Sequence, residues 1–426
     1  MSRQLRVFLF GHKVGKLRQE NGRLHFSYDA AWLSAPESKP LSQSLPLRVE
    51  AFDDNETRPF FAGLLPEGDL RIRLAKILQV SRQNDFALLD GLGGECAGAV
   101  TLVEDEVEKM SVPVPSAPHW LEDEGLARLL ETLPKRPMLV GEVGLRVSLA
   151  GAQDKLPVLA EEREGQLRVA LPPRQAPSSH ILKPEVADLP GSAHNEAFCL
   201  TLAAACGLKA TRASVYRVKY SEHVFLLVER YDRRRGLDGQ LERLHQEDFC
   251  QALGIAPEYK YQNEGGPNLT ACFELLRSSI RSSAPEILRF LDGVIFNALV
   301  GNNDAHAKNF SLLYDKEYPT LAPLYDVLCT AAYPHLSDKM AMKIGGRYRF
   351  GDLFPRHWEG FAKSIGLSSS QVKKRVLQMA GIVPAQAHKL ANDFISFGLA
   401  HDILEKIVSL VDARCALVTR RFAQSS

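Results

Sequence analysis

The sequence predicts an α+β fold in two parts, a β-rich N-terminal half and an all-α C-terminal half. Short β-prone runs separated by glycine turns open the chain, and further β-prone runs occur between about residues 136 and 245. Beyond about residue 246, apolar residues recur at helical spacing. The chain has 426 residues, 45% of them hydrophobic, which is enough for two or three domains with substantial cores.

Shifts in composition divide the chain into four ranges. Residues 1–105 combine β-prone runs with the helical stretch FFAGLLPEGDLRIRLAKIL, which predicts a small α/β subdomain. Residues 106–135 predict an acidic, proline-rich linker followed by a short helix near residues 122–133. Residues 136–245 predict a β-rich lobe with one packed helix, and residues 246–426 predict a helical lobe.

Charge and cysteine content restrict the partners and the compartment. The 52 basic and 51 acidic residues leave a formal charge of +1, so overall charge does not indicate a nucleic-acid surface. The seven cysteines lack the spacing of zinc ligands and suit reduced, buried thiols. No apolar run reaches the length of a signal sequence or a membrane span, which predicts a soluble cytoplasmic protein without membrane contact.

The segment VGNNDAHAKNFSLLYD, directly after an apolar run, carries a candidate site. Four residues separate Asp304 from Asn309, and Asp326 follows in APLYDVL. Protein kinases place the acid that orients the attacking hydroxyl at this spacing before a metal-binding asparagine, with a metal-binding aspartate downstream. Such hard oxygen ligands suit Mg²⁺. Because capped polar turns have a similar composition, the motif alone leaves both interpretations open.

Upstream features add candidate nucleotide contacts, each with a structural alternative. The small residues Ala150, Gly151 and Ala152 in RVSLAGAQDK either let backbone N–H groups approach an anion or form an ordinary hairpin turn. Lys183 in HILKPE either reaches phosphate oxygens or ends a strand in solvent. Glu196 opens the predicted helix NEAFCLTLAAACGL, where it either interacts with the helix dipole or pairs with Lys183.

Two further features are open in the same way. The backbone of residues 229–231 in FLLVERYDRR either meets an adenine edge or ends a strand before a solvated arginine cluster, Arg233–Arg235. His306 either contacts phosphate or is a structural histidine that stabilises its loop.

Taken together, these residues resemble the HipA family of bacterial toxin kinases, serine/threonine protein kinases of type II toxin–antitoxin modules. Ten segments follow the family's order: FFAGLLPEGDLR, FALLDGLGGECAGAV, VSLAGAQDK, SHILKPE, NEAFCLTLAAACGL, LVERYDR, LHQEDFCQALG, KYQNEGGPN, NDAHAKNFSLL and LAPLYDVL. The resemblance spans nearly the whole chain. It implies a two-lobed protein-kinase-like fold, with nucleotide between a nucleotide-binding lobe, residues 136–245, and a catalytic lobe, residues 246–426. The initial subdomain, which some relatives encode separately, is fused here.

The resemblance also implies a role for each candidate residue. Asp304 is the catalytic acid, supported by His306, and Asn309 and Asp326 hold Mg²⁺. The ATP-binding set is Leu149, Ala150, Gly151, Ala152, Gln153, Asp154, Lys155, Lys183, Glu229, Tyr231 and Lys308. Ala305 departs from the family, which often has Gly or Asp there.

Ser148, directly before the phosphate loop, occupies the place of the family's autophosphorylated serine. Two added negative charges beside a phosphate-binding loop would repel ATP and favour ejection of the loop. The alternative is a plain strand serine.

The implied function is transfer of the ATP γ-phosphate to a protein, an aminoacyl-tRNA synthetase, with growth arrest as the outcome. The implied partners are a small HipB-like helix-turn-helix antitoxin and, through it, operator DNA. Two other classes remain open: a corepressor acting mainly through such a partner, and a small-molecule or lipid kinase, because the catalytic loop also resembles that of phosphoinositide kinases. The intact Asp304, Asn309 and Asp326 favour an enzyme over a corepressor, although both roles can coexist in one chain.

Overall fold

The chain begins with an antiparallel sheet of four strands: β1 (Arg3–Leu9), β2 (His12–Glu20), β3 (Arg23–Tyr28) and β4 (Val100–Glu104). Their order is β3-β2-β1-β4, with Leu5 opposite Leu17 and Val7 opposite Leu102. This sheet confirms the short strands and glycine turns expected at the start of the chain. The computed structural model that shows it describes residues 3–104, 117–140, 146–173, 176–281, 283–315 and 318–424.

Four helices lie between β3 and β4 in the chain: α1 (Ala30–Leu33), α2 (Asp54–Gly63), α3 (Gly68–Ile77) and α4 (Asp85–Leu92). Asp53 and Glu56 form a reciprocal capping box at the start of α2, and Asn84 caps α4. The apolar faces of these helices join the sheet in one core that contains Phe26, Phe52, Phe60, Phe61 and Phe86. The α/β character predicted for this region is confirmed.

A second sheet has six strands: β5 (His119–Leu121), β6 (Leu156–Arg163), β7 (Gln166–Leu171), β8 (His180–Pro184), β9 (Ala213–Arg217) and β10 (Val224–Glu229). Their order is β5-β7-β6-β8-β10-β9. Helix α5 (Asp123–Thr132) buries Leu126, Leu129 and Leu130 against this sheet, which confirms the short helix predicted near residues 122–133. Residues 106–116 of the predicted linker lie outside the described residues.

The remaining elements include long helices and several short strands. In chain order they are α6 (Ser192–Ala205), β11 (Arg233–Arg235), β12 (Leu241–Arg243), β13 (His245–Asp248), α7 (Phe249–Ala252), α8 (Leu269–Ser279), α9 (Ser283–Val300), β14 (Ser311–Tyr314), β15 (Thr320–Leu321), β16 (Lys339–Ile344), β17 (Arg347–Arg349), α10 (Pro355–Ser364), α11 (Ser369–Ser396) and α12 (Asp402–Ala423). The α+β fold class is confirmed. The expectation of an all-α C-terminal half is wrong in detail, because β14 to β17 interrupt its helices.

The chain divides into two compact units. The first comprises Met1–Pro184, Tyr216–Pro257 and Leu313–Asp315, and the second comprises Glu185–Val215, Glu258–Leu312 and Lys316–Ser426. The four ranges derived from the sequence remain predictions. Of the helices in the described part of the chain, none combines the length and apolarity needed to cross a membrane. Six of the seven cysteines are buried and Cys206 is half-buried, and all are free thiols, as expected.

Candidate active site

Buried asparagines shape the polar segment that follows α9 in the second unit. The Nδ2 of Asn302 donates to Asn297 Oδ1 (2.8 Å), and its Oδ1 accepts the N–H of Asp304 (3.1 Å). Asn303 bonds mainly through its backbone, whose N–H donates to Thr330 Oγ1 (2.8 Å) and whose carbonyl accepts the N–H of Ala341 (2.7 Å), and its Nδ2 donates to the carbonyl of Ser337 (3.0 Å). Both asparagines are therefore buried supports of the loop.

Asp304 is the exposed acid at the tip of this loop. Its Oδ1 accepts a hydrogen bond from the hydroxyl of Tyr261 (2.8 Å), which comes from the loop before α8. The Tyr261 ring also lies edge-on to His306, with ring centroids 5.3 Å apart and an interplanar angle of 75°. Exposure makes the Asp304 carboxylate accessible to a substrate, and the tyrosine fixes one of its oxygens.

Asn309 and Asp326 lie side by side, as the candidate metal site requires. The Nδ2 of Asn309 donates to Asp326 Oδ2 (3.1 Å), and its Oδ1 accepts the N–H of His306 (3.2 Å). The Asn309 side chain thus links the backbone of His306 to the carboxylate of Asp326. His306 itself is buried, which supports its structural interpretation without testing a role in catalysis.

Asp326 adopts an unusual backbone conformation. Its φ of +54° lies in the left-handed region, which residues other than Gly rarely adopt, although Asp and Asn tolerate it better than most. Conformations of this kind persist where the surrounding structure enforces them and are concentrated at functional sites. Part of that support acts at Cys329, three residues after Asp326. The side chain of Asn195 in α6 accepts the N–H of Cys329 (2.7 Å) and donates to its carbonyl (3.1 Å).

The described loop residues fit Mg²⁺ in donor chemistry. Asp326 offers a carboxylate and Asn309 an amide oxygen, both hard ligands, and a cation would replace the amide N–H as the positive partner of the carboxylate. The backbone carbonyl of the buried Lys308 accepts the Tyr325 hydroxyl (2.7 Å), which ties the residue before Asn309 to the residue before Asp326. We therefore retain these residues as the candidate metal ligands.

Among the described residues, a second group has the composition of a metal site: Glu185, His194 and His401, whose ligand atoms lie within 4.8 Å of one another. His401 Nδ1 accepts the N–H of Ile403 (3.1 Å) at the start of α12, and Glu185 Oε1 accepts that of Gly191 (2.7 Å) before α6. A neutral imidazole that accepts at Nδ1 carries its proton on Nε2, so its lone pair is already used. We assign Glu185 and His401 of this group to holding the two helix starts.

In the first unit, the predicted phosphate loop docks against two segments near the N-terminus. Val147 forms a parallel bridge with Glu95, and Gly151 forms one with Pro66. Because both contacts are parallel and join distant segments, the alternative of an ordinary hairpin turn is wrong. The loop residues between the bridges are Ser148, Leu149 and Ala150.

Ser148 is fully buried within this docked loop. Its side chain has 0% exposure, its Oγ donates to the carbonyl of Leu64 (2.7 Å), and its N–H donates to the carbonyl of Glu95 (2.8 Å). It lies outside any regular strand, so its interpretation as a plain strand serine is also wrong. A protein kinase would reach this hydroxyl only after the loop has left its place.

Side chains at the end of the loop fix its shape. Lys155 Nζ donates to the carbonyl of Ala150 (2.6 Å), and a Cβ at Gly151, where φ is +107°, would lie 2.6 Å from the same nitrogen. Asp154 pairs with Arg73 (2.9 Å), and Gln153 Nε2 donates to the carbonyl of Pro184 (3.3 Å), next to Lys183. Ala152 is exposed, so the loop presents a small residue to solvent.

Lys183 is only 6% exposed and lies in β8, paired with Leu226 of β10. The alternative that it merely ends a strand in solvent is therefore wrong. Glu196 is also buried, but α6 begins at Ser192. The expectation that Glu196 opens its helix is wrong, because it lies in the second turn, beyond the reach of most of the dipole effect.

The candidate adenine segment, residues 229–231, is anchored by the side chain of its middle residue, Arg230. Arg230 is buried and pairs bidentately with Asp232, through Nε (2.9 Å) and NH2 (2.7 Å), and its NH1 lies 3.3 Å from Glu95 Oε1. Glu229 is exposed, and the Tyr231 hydroxyl donates to Gln246 Oε1 (2.8 Å).

Arg233 completes a buried ion-pair cluster, defined here as Glu95, Arg230, Asp232 and Arg233. It lies 3.1 Å from Glu95 and 3.0 Å from Asp232, so the expectation of a solvated Arg233–Arg235 cluster holds only for its last two members. Burial alone would raise the pKa of Glu95, but Arg230 and Arg233 hold it below its ordinary value. The same guanidinium groups lower the pKa of Asp232 against its burial.

Several supporting side chains were not predicted from the sequence: those of Tyr261, Asn195, Glu95, Arg230 and Asp232. Each lies in one of the ten quoted segments, but, apart from the pair of Arg230 with Asp232, the contacts described above join distant parts of the chain. Glu95 and Arg230, for example, are 135 residues apart. Sequence order alone carried no signal for these pairings.

Comparison with known proteins finds two family models that match this chain. The model of the HipA N-terminal domain matches residues 5–103, and that of the HipA-like C-terminal domain matches residues 147–387. A relative from Sinorhizobium fredii, "Putative kinase Y4mE", is 48% identical over 380 residues, covering 88% of this chain and 89% of its own. The "Serine/threonine-protein kinase toxin HipA" of Shewanella oneidensis is 26% identical over 358 residues, covering 81% of this chain and 79% of its own.

A solved structure has the same fold. The Shewanella oneidensis toxin–antitoxin complex of HipA, HipB and operator DNA contains a chain that superposes with a TM-score of 0.82 at 23% identity, covering 99% of this chain and 98% of that one. At this identity the likeness establishes the fold. Because the C-terminal domain model spans more than half of the sequence and a 48% identical relative covers most of it, the chain belongs to the HipA kinase family.

Proposed function

We propose that this chain is an ATP- and Mg²⁺-dependent serine/threonine protein kinase. The observation that carries the proposal is the loop of the second unit, where an exposed Asp304 precedes an Asn309 that is bonded to Asp326. This is the order of acid, metal-binding asparagine and metal-binding aspartate that phosphoryl transfer uses in protein kinases.

Each group has a defined task in this proposal. The Asp304 carboxylate orients the substrate hydroxyl and takes its proton, while the hydroxyl oxygen bonds to the γ-phosphorus and the bond to the β–γ bridging oxygen breaks, releasing ADP. Asn309 and Asp326 would hold Mg²⁺, which when bound supplies neutralising charge to the phosphates. Lys308 belongs to the same loop and is assigned to the phosphates as well.

The first unit supplies the proposed nucleotide contacts. Residues 149–155 offer backbone N–H groups to the phosphates, and Lys183 offers a buried cation whose attraction for phosphate is stronger in low dielectric. The backbone of residues 229–231 meets the adenine edge. The bonds of Arg230 with Asp232 and Glu95 anchor this segment in the buried cluster.

The proposal is tested by incubating the purified protein with ATP labelled at the γ-phosphate and a cell lysate. We expect labelled protein bands, and we expect Asp304→Asn to lose at least about a hundredfold in rate because the proton acceptor is removed. Asp315→Asn is the matched control: Asp315 pairs with Arg234 in the first unit and should transfer phosphate like the wild type. Label confined to lipids or small molecules would contradict the protein kinase assignment.

Ser148 is the proposed site of autophosphorylation, and the same reaction provides the check. Because its hydroxyl is bonded to Leu64 in a fully buried loop, phosphorylation would require the loop to leave its place, and the phosphate would prevent its return. A phosphopeptide map of the labelled chain that lacks Ser148 would remove this part of the proposal while leaving the kinase assignment intact.

We further propose a helix-turn-helix antitoxin as partner and an aminoacyl-tRNA synthetase as substrate. The partner is supported by the solved HipA relative, which is in complex with HipB and operator DNA. A near-neutral formal charge of +1 is consistent with DNA contact through such a partner. The substrate rests on the family resemblance alone, and identification of the labelled lysate band by mass spectrometry tests it.

A further inference from the structure

The loop before α8, residues 258–266, has a backbone that admits little variation. The N–H groups of Glu264 and Gly266 both donate to the carbonyl of Tyr261 (3.0 Å each). Gly265 has a φ of +93°, and a Cβ on Gly266 would lie 2.0 Å from the carbonyl oxygen of Tyr259, so a side chain there would displace the backbone. This folded loop, all of it in the second unit, therefore presents Tyr261 in one orientation.

A second anchor ties the loop to β16. Gln262, next to Tyr261, accepts the backbone N–H of Lys343 through its Oε1 (2.7 Å). Because Gln262 is held to β16, the backbone next to Tyr261 is fixed in addition to the side-chain contacts of Tyr261 itself. Its hydroxyl ends 2.8 Å from Asp304 Oδ1, and its ring lies edge-on to the buried His306.

We propose that Tyr261 is a positioning residue for the catalytic acid, an inference that rests on the kinase function proposed above. Asp304 is exposed, and a surface carboxylate samples several rotamers unless its contacts restrain it. The bond from Tyr261 to Oδ1 restricts the rotation of the Asp304 carboxylate and so sets the orientation in which it meets the substrate hydroxyl. The tyrosine ring is fixed in turn by its contact with His306.

This arrangement concerns the reacting geometry rather than nucleotide affinity. Tyr261 and Asp304 belong to one unit, whereas the proposed adenine and phosphate-loop contacts belong to the other. Loss of the tyrosine hydroxyl should therefore lower kcat and leave the KM for ATP unchanged, which is the signature of an interaction used in the transition state. Loss of a merely structural residue would lower stability instead.

The test compares Tyr261→Phe with Tyr259→Phe. Tyr259 is the same residue type two positions earlier in the chain, and it is 56% exposed, so its substitution controls for removal of a hydroxyl from this stretch. We expect Tyr261→Phe to lower kcat by about tenfold or more, as a misplaced catalytic group does, with the KM for ATP and the thermal midpoint unchanged. Tyr259→Phe should match the wild type in all three.

A third variant separates the hydroxyl from the ring. Tyr261→Ala also removes the contact with His306 and should lose more activity than Tyr261→Phe. A Tyr261→Phe rate equal to that of the wild type, or higher because the tyrosine had blocked the substrate's place, would overturn the inference while the kinase assignment stands. A wild-type protein that transfers no phosphate to protein would overturn both.

Discussion

At the residue scale, Asp326 shows how backbone and chemistry select one side chain. Its left-handed φ favours Asp, Asn or Gly, its carboxylate accepts from Asn309, and its place in the motif calls for a metal ligand. Asn satisfies the first two requirements and lacks only the negative charge. The exchange of Asp for Asn at this position therefore isolates the charge from the conformation.

We expect Asp326→Asn to weaken binding of Mn²⁺, used as a spectroscopic substitute for Mg²⁺, by at least about tenfold, because one anionic ligand is lost. Electron paramagnetic resonance of free Mn²⁺, titrated with protein and ATP, measures this without depending on phosphate transfer. Asp315→Asn, which removes a carboxylate outside the loop, is the control and should bind Mn²⁺ like the wild type. Equal affinity in all three proteins would exclude Asp326 as a ligand.

At the element scale, the buried ion-pair cluster joins the turn before β4 to the end of β10. Asp232 also accepts the N–H of Gly98 (2.7 Å), and Glu95 accepts both the N–H (2.9 Å) and the hydroxyl (2.8 Å) of Ser178. The two carboxylates face the guanidinium groups of Arg230 and Arg233, and the positive charge of Arg243 also lowers the pKa of Glu95. The N-terminal subdomain thus fixes the segment proposed to contact adenine.

Removal of one charge from this cluster should be costly. Glu95→Gln leaves Arg230 and Arg233 with one carboxylate, and we expect the free energy of unfolding to fall by about 3 kcal/mol, as when one partner of a buried pair is lost. Urea unfolding measures this, and a raised KM for ATP would report the loosened segment.

The control for Glu95→Gln is Glu242→Gln, which breaks the exposed pair with Arg234. Because water screens that pair, its loss should change the free energy of unfolding by less than about 1 kcal/mol. Equal effects of the two substitutions would mean that the cluster contributes nothing beyond a surface ion pair.

At the scale of the whole molecule, each unit gathers segments that are distant in the chain. Glu247 is fully buried in the first unit, where it accepts hydrogen bonds from Ser42, from the N–H of Gln43 (3.0 Å) and from Tyr314. Burial raises its pKa from 4.5 to about 7, more than these hydrogen bonds lower it. The folded chain therefore retains a proton there that the unfolded chain releases.

This proton links stability to pH. Between pH 4.5 and about 7 the native state binds more protons at Glu247 than the unfolded state, so the contribution of Glu247 to stability falls as pH rises through that window. The fall amounts to about 3 kcal/mol at 1.36 kcal/mol per unit of pKa. We expect the free energy of unfolding of the wild type, relative to Glu247→Gln, to decrease by this amount from pH 4.5 to pH 8.

Urea unfolding of both proteins across this pH range provides the measurement. His245, whose pKa burial lowers to about 4, titrates in both proteins, so its contribution cancels in the difference. A difference between the two proteins that stays constant with pH would show that the pKa of Glu247 is the same in the native and unfolded states.

Much of the fold and part of the site followed from local pattern. The apolar period of α9, α11 and α12 and the order of Asp304, Asn309 and Asp326 are properties of neighbouring residues. The short strands β14 to β17 were missed because they carry too few residues to establish a period of two. Tyr261 was missed because its partner, Asp304, lies 43 residues away.

The sequence by itself determined the α+β class, the motif order and the resemblance to the HipA family, since periodicity and motifs are local. Only the tertiary structure decided which candidates are buried. Ser148 and Lys183 are buried in the first unit, and Arg233 pairs with buried carboxylates. Asn302 and Asn303 are buried and hold the loop by hydrogen bonds. Burial and charge pairing depend on segments that meet only when the chain folds, so no spacing along the sequence could specify them.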